Sequence, residues 1–269
     1  MTTHAATVVA VPPSRTVIVA IALNTFREAI RDRVLYLLLV FAMLLIGASR
    51  MMSMITVGNE EKLVKDMGLA AISVIGVLTA VFVGVSLVFK EIERRTVYTL
   101  LANPVRRWQF VVGKFVGLLV VLGMNLLLMS SGLIAIVLFR GESPWMLLPA
   151  VLMIFVELSI VTAFALLFSS LTNPMLAAVW TFASYVTGHL SWSLLLLKER
   201  MPEGGLGRPL CQFIYWILPN LDRLDIKAEV VNGTALPVDF IPLSVLYGFS
   251  YAAVILLLAC AVFERKDFN

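Results

Sequence analysis

The sequence predicts an all-α polytopic membrane protein with six transmembrane helices, an amphipathic N-terminal interfacial helix and a short charged cytoplasmic helix. Three observations carry that reading. Six apolar runs approach or exceed the roughly 20 residues that a helix needs to cross a hydrocarbon core of about 30 Å. Of the 269 residues, 60% are hydrophobic and only 14% charged, with a mean hydropathy of +0.96. A soluble domain carries about a quarter charged residues, so the surplus apolar surface calls for lipid. Lys and Arg also divide unequally between the loops, as a fixed membrane orientation requires.

Taken in order, residues 1–14 read as a disordered tail, because "MTTHAATVVAVPPSR" lacks the basic opening of a cleaved signal. Residues 15–269 read as a single transmembrane domain. In "RTVIVAIALNTFREAIRDR", Asn24, Arg27, Glu28 and Arg31 recur at three- and four-residue steps, with Val19, Leu23, Phe26 and Ile30 on the other side. That pattern suits a helix lying along the inner headgroups; the alternative is a cytoplasmic extension of the first span. The spans are expected at about 34–52, 67–89, 110–139, 145–169, 175–197 and 241–263. The first ends near Arg50, which must snorkel to the headgroups. The third is long enough to tilt or to project beyond the bilayer.

With the N-terminus inside, the cytoplasmic segments hold Arg15, Arg27, Arg31, Arg33, Lys90, Arg94, Arg95, Arg106, Arg107, Lys114, Arg265 and Lys266. The short outer loops hold only Arg50, Lys62, Lys65 and Arg140. Twelve against four places both termini in the cytoplasm and residues 198–240 outside. Within that long outer loop, "CQFIYWILP" is too short to span and is expected to lie in or dip into the outer leaflet, with Tyr215 and Trp216 at headgroup level. Asn232-Gly233 reads as a turn.

The two short cytoplasmic loops share a device. "ANPVRRW" and "LTNPMLA" each place Asn-Pro ahead of an apolar helix. Asn N-caps a helix, Pro suits its first turn, and the residue before Pro leaves the α region. Each pair therefore marks a sharp corner between helices.

The stretch "KEIERRTVYTLLANPVRRWQFVVGK", from Lys90 to Lys114, concentrates charge between two apolar runs. A short helix over Lys90–Leu101 would set Glu91 against Arg94 and Arg95, with Val97, Leu100 and Leu101 as its apolar edge and Pro104 as its stop. The segment is either a docking surface for another protein or an ordinary positive-inside loop against anionic lipid. Its residues also resemble the first cytoplasmic loop of ATP-binding-cassette (ABC) exporter permeases of the type-2 family. The matching positions are Glu91, Arg94, Thr96, Leu100, Leu101, Pro104, Arg107, Gly113 and Lys114, while Arg95 stands where Gly is common. The whole layout, including the second loop "FSSLTNP" and the basic tail "FERKDFN", is similar to that family.

The resemblance implies a permease subunit, paired with a second copy or a related subunit, moving a lipophilic or amphipathic substrate out of the cytoplasm. ATP and Mg would be bound by a separate ABC ATPase subunit, docked on a coupling helix bearing Glu91, Arg94, Arg95, Thr96, Leu100, Leu101, Pro104 and Arg107. The corner Thr172, Asn173 and Pro174 would make a second, smaller contact. Membrane lipid is the remaining expected partner, and nucleic acid is not one. The chain itself has no G-x-x-x-x-G-K-[ST] loop: Gly113-Lys114 is followed by Phe115, and Trp108 stands where the first Gly belongs. An alternative within the family is a non-transporting subunit that passes force to an assembly or maturation complex.

Three polar residues fall inside the spans: Asn125, Glu157 and His189. A lone carboxylate at mid-depth must be protonated, paired or beside a wet cavity. Glu157 is therefore either a transport or proton-switch residue, as a proton-coupled secondary transporter would use, or a member of an interhelical hydrogen bond with Asn125 or His189. Asn125 is expected to bond across helices near the small-xxx-small pair Gly113 and Gly117. An intramembrane enzyme lacks support, since His4 and His189 are the only histidines and no H-E-x-x-H occurs. Cys211 and Cys260 lie too differently for a disulfide, and no metal or cofactor spacing is present.

Overall fold

The computed structural model describes residues 14–53, 60–93, 106–191, 198, 207–234 and 236–265. Among these residues all regular structure is helical. Nine α-helices follow one another: α1 (Ser14–Ile30), α2 (Arg33–Ser53), α3 (Glu60–Glu93), α4 (Arg107–Phe139), α5 (Leu147–Leu171), α6 (Pro174–His189), α7 (Gly207–Ile217), α8 (Lys227–Asn232) and α9 (Phe240–Arg265). A 3-10 turn, Asp222–Leu224, precedes α8.

Five of these helices (α2, α3, α4, α5 and α9) are long and apolar enough to cross a membrane. The expected span 175–197 coincides with α6, which is not among these five: its 16 described residues rise about 24 Å, and residues 192–197 of that expectation lie outside the described residues. By contrast α3 and α4, with 34 and 33 residues, reach about 50 Å each. The extra length of α3 is its first two turns, Glu60 to Asp66, which apolar run length alone left out. Acidic Glu60 and Glu61 suit a helix N-terminus, and ion pairs hold the same turns to the α4–α5 loop. Lys65 meets Glu142 at 2.5 Å, and Arg140 meets Glu60 at 2.7 Å. Gly141 makes that loop tight with a φ of +77°, a conformation that costs glycine little.

α3 and α5 form the centre, each with 78% of its most apolar window buried, against 22% for α2 and 28% for α9. The peripheral helices turn a narrow stripe inward. On α2 it is Leu35, Ala42, Ile46 and Ser49; on α9 it is Ser244, Gly248, Ala252, Ile255, Ala259 and Phe263. Their other faces expose Leu37, Val40 and Leu44, or Leu246, Val254 and Leu257, as lipid-facing helices do. Because lipid is as apolar as leucine, small residues rather than hydrophobicity decide which face packs.

α1 packs against α4. The face against the bundle is Ile18, Ile21, Ala22, Thr25 and Ala29, while Val19 and Leu23 are exposed. The reason lies on α4. A β-carbon on Gly117 would stand 2.7 Å from the Ala22 carbonyl oxygen, and one on Gly113 would stand 3.2 Å from the Ile18 oxygen. The glycine pair thus receives the backbone of α1, with Ile21 against Gly113 and Thr25 against Gly117.

Candidate functional site

One end of the bundle gathers the end of α3, the start of α4, the α5–α6 corner and the end of α9. The corner is built as its sequence predicts. Asn173 has extended backbone and accepts the Leu176 N–H at 2.9 Å, Pro174 occupies the first turn, and the Thr172 N–H closes α5 by donating to the Phe168 carbonyl.

Asn103 and Pro104 of the other Asn-Pro pair lie outside the described residues. α4 begins at Arg107 with Arg106 as its cap residue, whose N–H donates to Gln109 Oε1 at 3.0 Å. The Gln109 side chain thus reaches back to the open end of the helix. The charged segment also differs from its expected shape. α3 runs unbroken to Glu93, so Glu91 stands on the last turn of a long helix rather than at the start of a separate short one. No Gly or Pro between Phe89 and Glu93 interrupts it. Arg94, Arg95, Thr96, Leu100, Leu101 and Pro104 lie outside the described residues.

Arg107 is placed with more precision than the sequence allowed. Its Nη1 donates to the Glu264 carbonyl at 3.0 Å and to that of Phe263 at 3.4 Å. These are among the terminal carbonyls that a helix leaves unsatisfied, and a cation there also suits the helix dipole. Phe110 stacks on Phe263 beside it, with ring centroids 5.6 Å apart. Arg107 thus ties the charged segment to the end of α9 in addition to any docking role. In Arg107→Ala, amide exchange over the last turn of α9 is expected to rise about fivefold, matching a bond worth about 1 kcal/mol. Exchange mass spectrometry of the C-terminal peptide reads this directly.

Further along α4, Lys114 is 1% exposed. Its Nζ lies 3.8 Å from Glu28 of α1 and 5.9 Å from the centre of the Phe110 ring. Sequence reasoning counted Lys114 among the cytoplasmic charges without foreseeing that α1 covers it. Gly113 and Gly117 were the available signal, since a backbone received there must also cover the lysine between them.

Rising from the corner, a groove runs between α3 and α6. Its volume is about 700 Å³, and its walls include Leu78, Phe82 and Val85 on one side and Met175, Val179 and Phe182 on the other. Among the described residues no charged side chain lines it, and Ser86 supplies its one hydroxyl. The lining residues recur at helical steps on both helices, yet residue type offered no contrast by which to see them: most neighbouring positions are apolar too.

The intramembrane polar residues do not form one cluster. Asn125 of α4 donates through Nδ2 to Thr79 of α3 at 3.3 Å, and Thr79 donates in turn to the Ile75 carbonyl at 2.8 Å. Glu157, 1% exposed, pairs instead with His189 across 2.7 Å between Oε1 and Nε2. Of the two partners open from sequence, His189 is the one the fold supplies. Tyr185 sets its ring edgewise against His189 at 4.7 Å.

The family model described as ABC-2 family transporter protein matches residues 19–268. No curated protein matches the chain.

Proposed function

Since the chain belongs to the ABC-2 transporter family, we propose that it is the permease subunit of an exporter moving a lipophilic or amphipathic substrate outward. The groove between α3 and α6 carries this reading. A substrate rich in hydrocarbon gains roughly 25 cal/mol per Å² of apolar surface it buries, and the described walls of the groove carry no charge to hold an ion. Two copies, or this chain and a related subunit, would face each other across such grooves and enclose a pathway.

ATP is hydrolysed by a separate ATPase subunit, which docks on the cytoplasmic segment 90–107 and touches the corner at Thr172, Asn173 and Pro174. That segment continues α3 and leads into α4, while the corner opens α6. A push on the segment therefore shifts α3 against α6, and the groove between them widens or closes. Arg107 and Lys114 would carry the same push to α9 and α1.

The test is co-purification in mild detergent, with and without ATP. The wild-type chain is expected to bring down an ATPase subunit, and Glu91→Arg combined with Arg94→Glu to lose it. Absence of any ATPase from both preparations would overturn the reading.

A further inference from the structure

α1 and α2 meet in a tight elbow at Arg31 and Asp32. The Arg31 N–H donates to the Glu28 carbonyl at 3.1 Å and the Asp32 N–H to that of Ala29 at 3.0 Å, which closes α1. The Asp32 carboxylate then accepts the Val34 N–H at 3.0 Å and opens α2. Along α4, Ile21 lies against Gly113, Thr25 against Gly117 and Met43 against Gly132. The two helices therefore follow one another up α4, and the elbow falls between the heights of Gly117 and Gly132.

The outward side of this elbow is basic. Arg27, Arg31 and Arg33 are exposed, and Arg27 and Arg31, four residues apart, share one face. The two carboxylates in the same stretch are engaged: Glu28 faces Lys114 across 3.8 Å, and Asp32 caps α2. Apolar side chains that the rest of the chain leaves uncovered flank the arginines on both sides, Val19 and Leu23 before them and Val34 and Leu37 after.

We propose that the α1–α2 elbow is a binding site for anionic phospholipid, whose phosphate headgroup the three arginines hold and which keeps α1 on α4. The proposal goes beyond the permease reading and needs neither an ATPase nor a substrate. Guanidinium groups bind phosphate through paired, charge-assisted hydrogen bonds. The depth is right for a headgroup. α2 is long and apolar enough to cross a membrane, and its uncovered stripe begins at Val34, one residue past Arg33. The arginines thus stand where hydrocarbon gives way to headgroups. The length of α4 agrees: its 33 residues reach about 50 Å, about 20 Å more than a hydrocarbon core, so one boundary falls past Gly117 when the other lies near Arg140. An acidic protein surface would complement the arginines but leave Val19, Leu23, Val34 and Leu37 without an apolar partner. A phospholipid offers phosphate and acyl chain side by side, and each arginine near an anionic leaflet adds to the hold.

The experiment is hydrogen exchange on the full chain, purified alone, in nanodiscs of phosphatidylcholine and in nanodiscs with about a third phosphatidylglycerol, followed on a peptide covering residues 19–30. Exchange of this peptide is expected to slow about tenfold in the anionic discs. The triple variant Arg27→Gln, Arg31→Gln and Arg33→Gln should show the same exchange in both. An α5 peptide that stays protected in every sample certifies the fold. Inorganic phosphate added to the phosphatidylcholine discs should change nothing; protection by it would mean that the elbow holds a soluble anion, and overturns the lipid site. Equal exchange of the wild type in both discs, as a protein-docking surface would give, overturns it too. So does a lipid effect that persists in the triple variant.

Discussion

His189→Leu is expected to destabilise the bundle by about 3–5 kcal/mol, the cost of breaking a buried pair by removing one partner. The carboxylate of Glu157, 1% exposed, would remain on α5 without its imidazole partner. The double variant His189→Leu with Glu157→Met removes the stranded acid as well, and apolar replacements of whole buried pairs are often neutral or better. Thermal unfolding in detergent should therefore show a midpoint lowered by roughly 10 °C in the single variant and largely recovered in the double. A single variant as stable as the wild type would mean that Glu157 has another partner.

Gly117→Leu comes second in size. The added β-carbon would meet the Ala22 carbonyl oxygen and Thr25 Cβ, each at 2.7 Å. A backbone oxygen cannot rotate aside as a side chain does, so α1 must lift from α4 or the variant must bear the strain. Overpacking of this kind costs about 1–3 kcal/mol. Lifting α1 also uncovers Lys114 and parts it from Glu28. Trypsin should then cut after Arg27 or Arg31 at least tenfold faster than in the wild type, a change that corresponds to about 1.4 kcal/mol of opening. Gly47→Ala on α2, where a β-carbon meets nothing within 4 Å, is the control and should leave cleavage unchanged. Equal cleavage in Gly117→Leu would show that α1 is held by other contacts.

The two variants probe different kinds of legibility. Glu157 stood out in sequence because an acid at mid-depth is costly wherever the helix points. Its partner was narrowed to Asn125 or His189, and the choice between them depended on the rotation of α6 and the end of that helix. Gly113 and Gly117 stood out as a pair of small residues, and close packing there is correct. The helix they receive is α1, which sequence placed along the inner headgroups with Val19, Leu23, Phe26 and Ile30 on its apolar side. The fold exposes Val19 and Leu23, packs Phe26 on the core and buries Thr25 and Ala29, with Ala22 against Gly117. Hydrophobic periodicity points toward lipid as readily as toward protein, so it could not choose.

Expected and observed helices otherwise agree closely where the apolar run is long. The first span, expected at 34–52, is Arg33–Ser53, and the last, expected at 241–263, is Phe240–Arg265. They differ where charged turns extend a helix past the bilayer, as at Glu60–Asp66, because helix stability there comes from ion pairs with Arg140 and Glu142, distant in sequence.

What could be read from residues alone is whatever is local and additive: the apolar length of each span, the Asn173-Pro174 corner, and a charged segment at the start of α4. Transfer into lipid is summed residue by residue, and a cap needs only its nearest neighbours. Tertiary structure decided the rest: which face of α1 packs, that Arg107 closes α9, that His189 meets Glu157, and that α3 and α6 leave a groove between them. Those contacts depend on the rotation of each helix about its axis. In helices apolar all round, no polar face marks that rotation, and the fit of side chains between neighbours sets it.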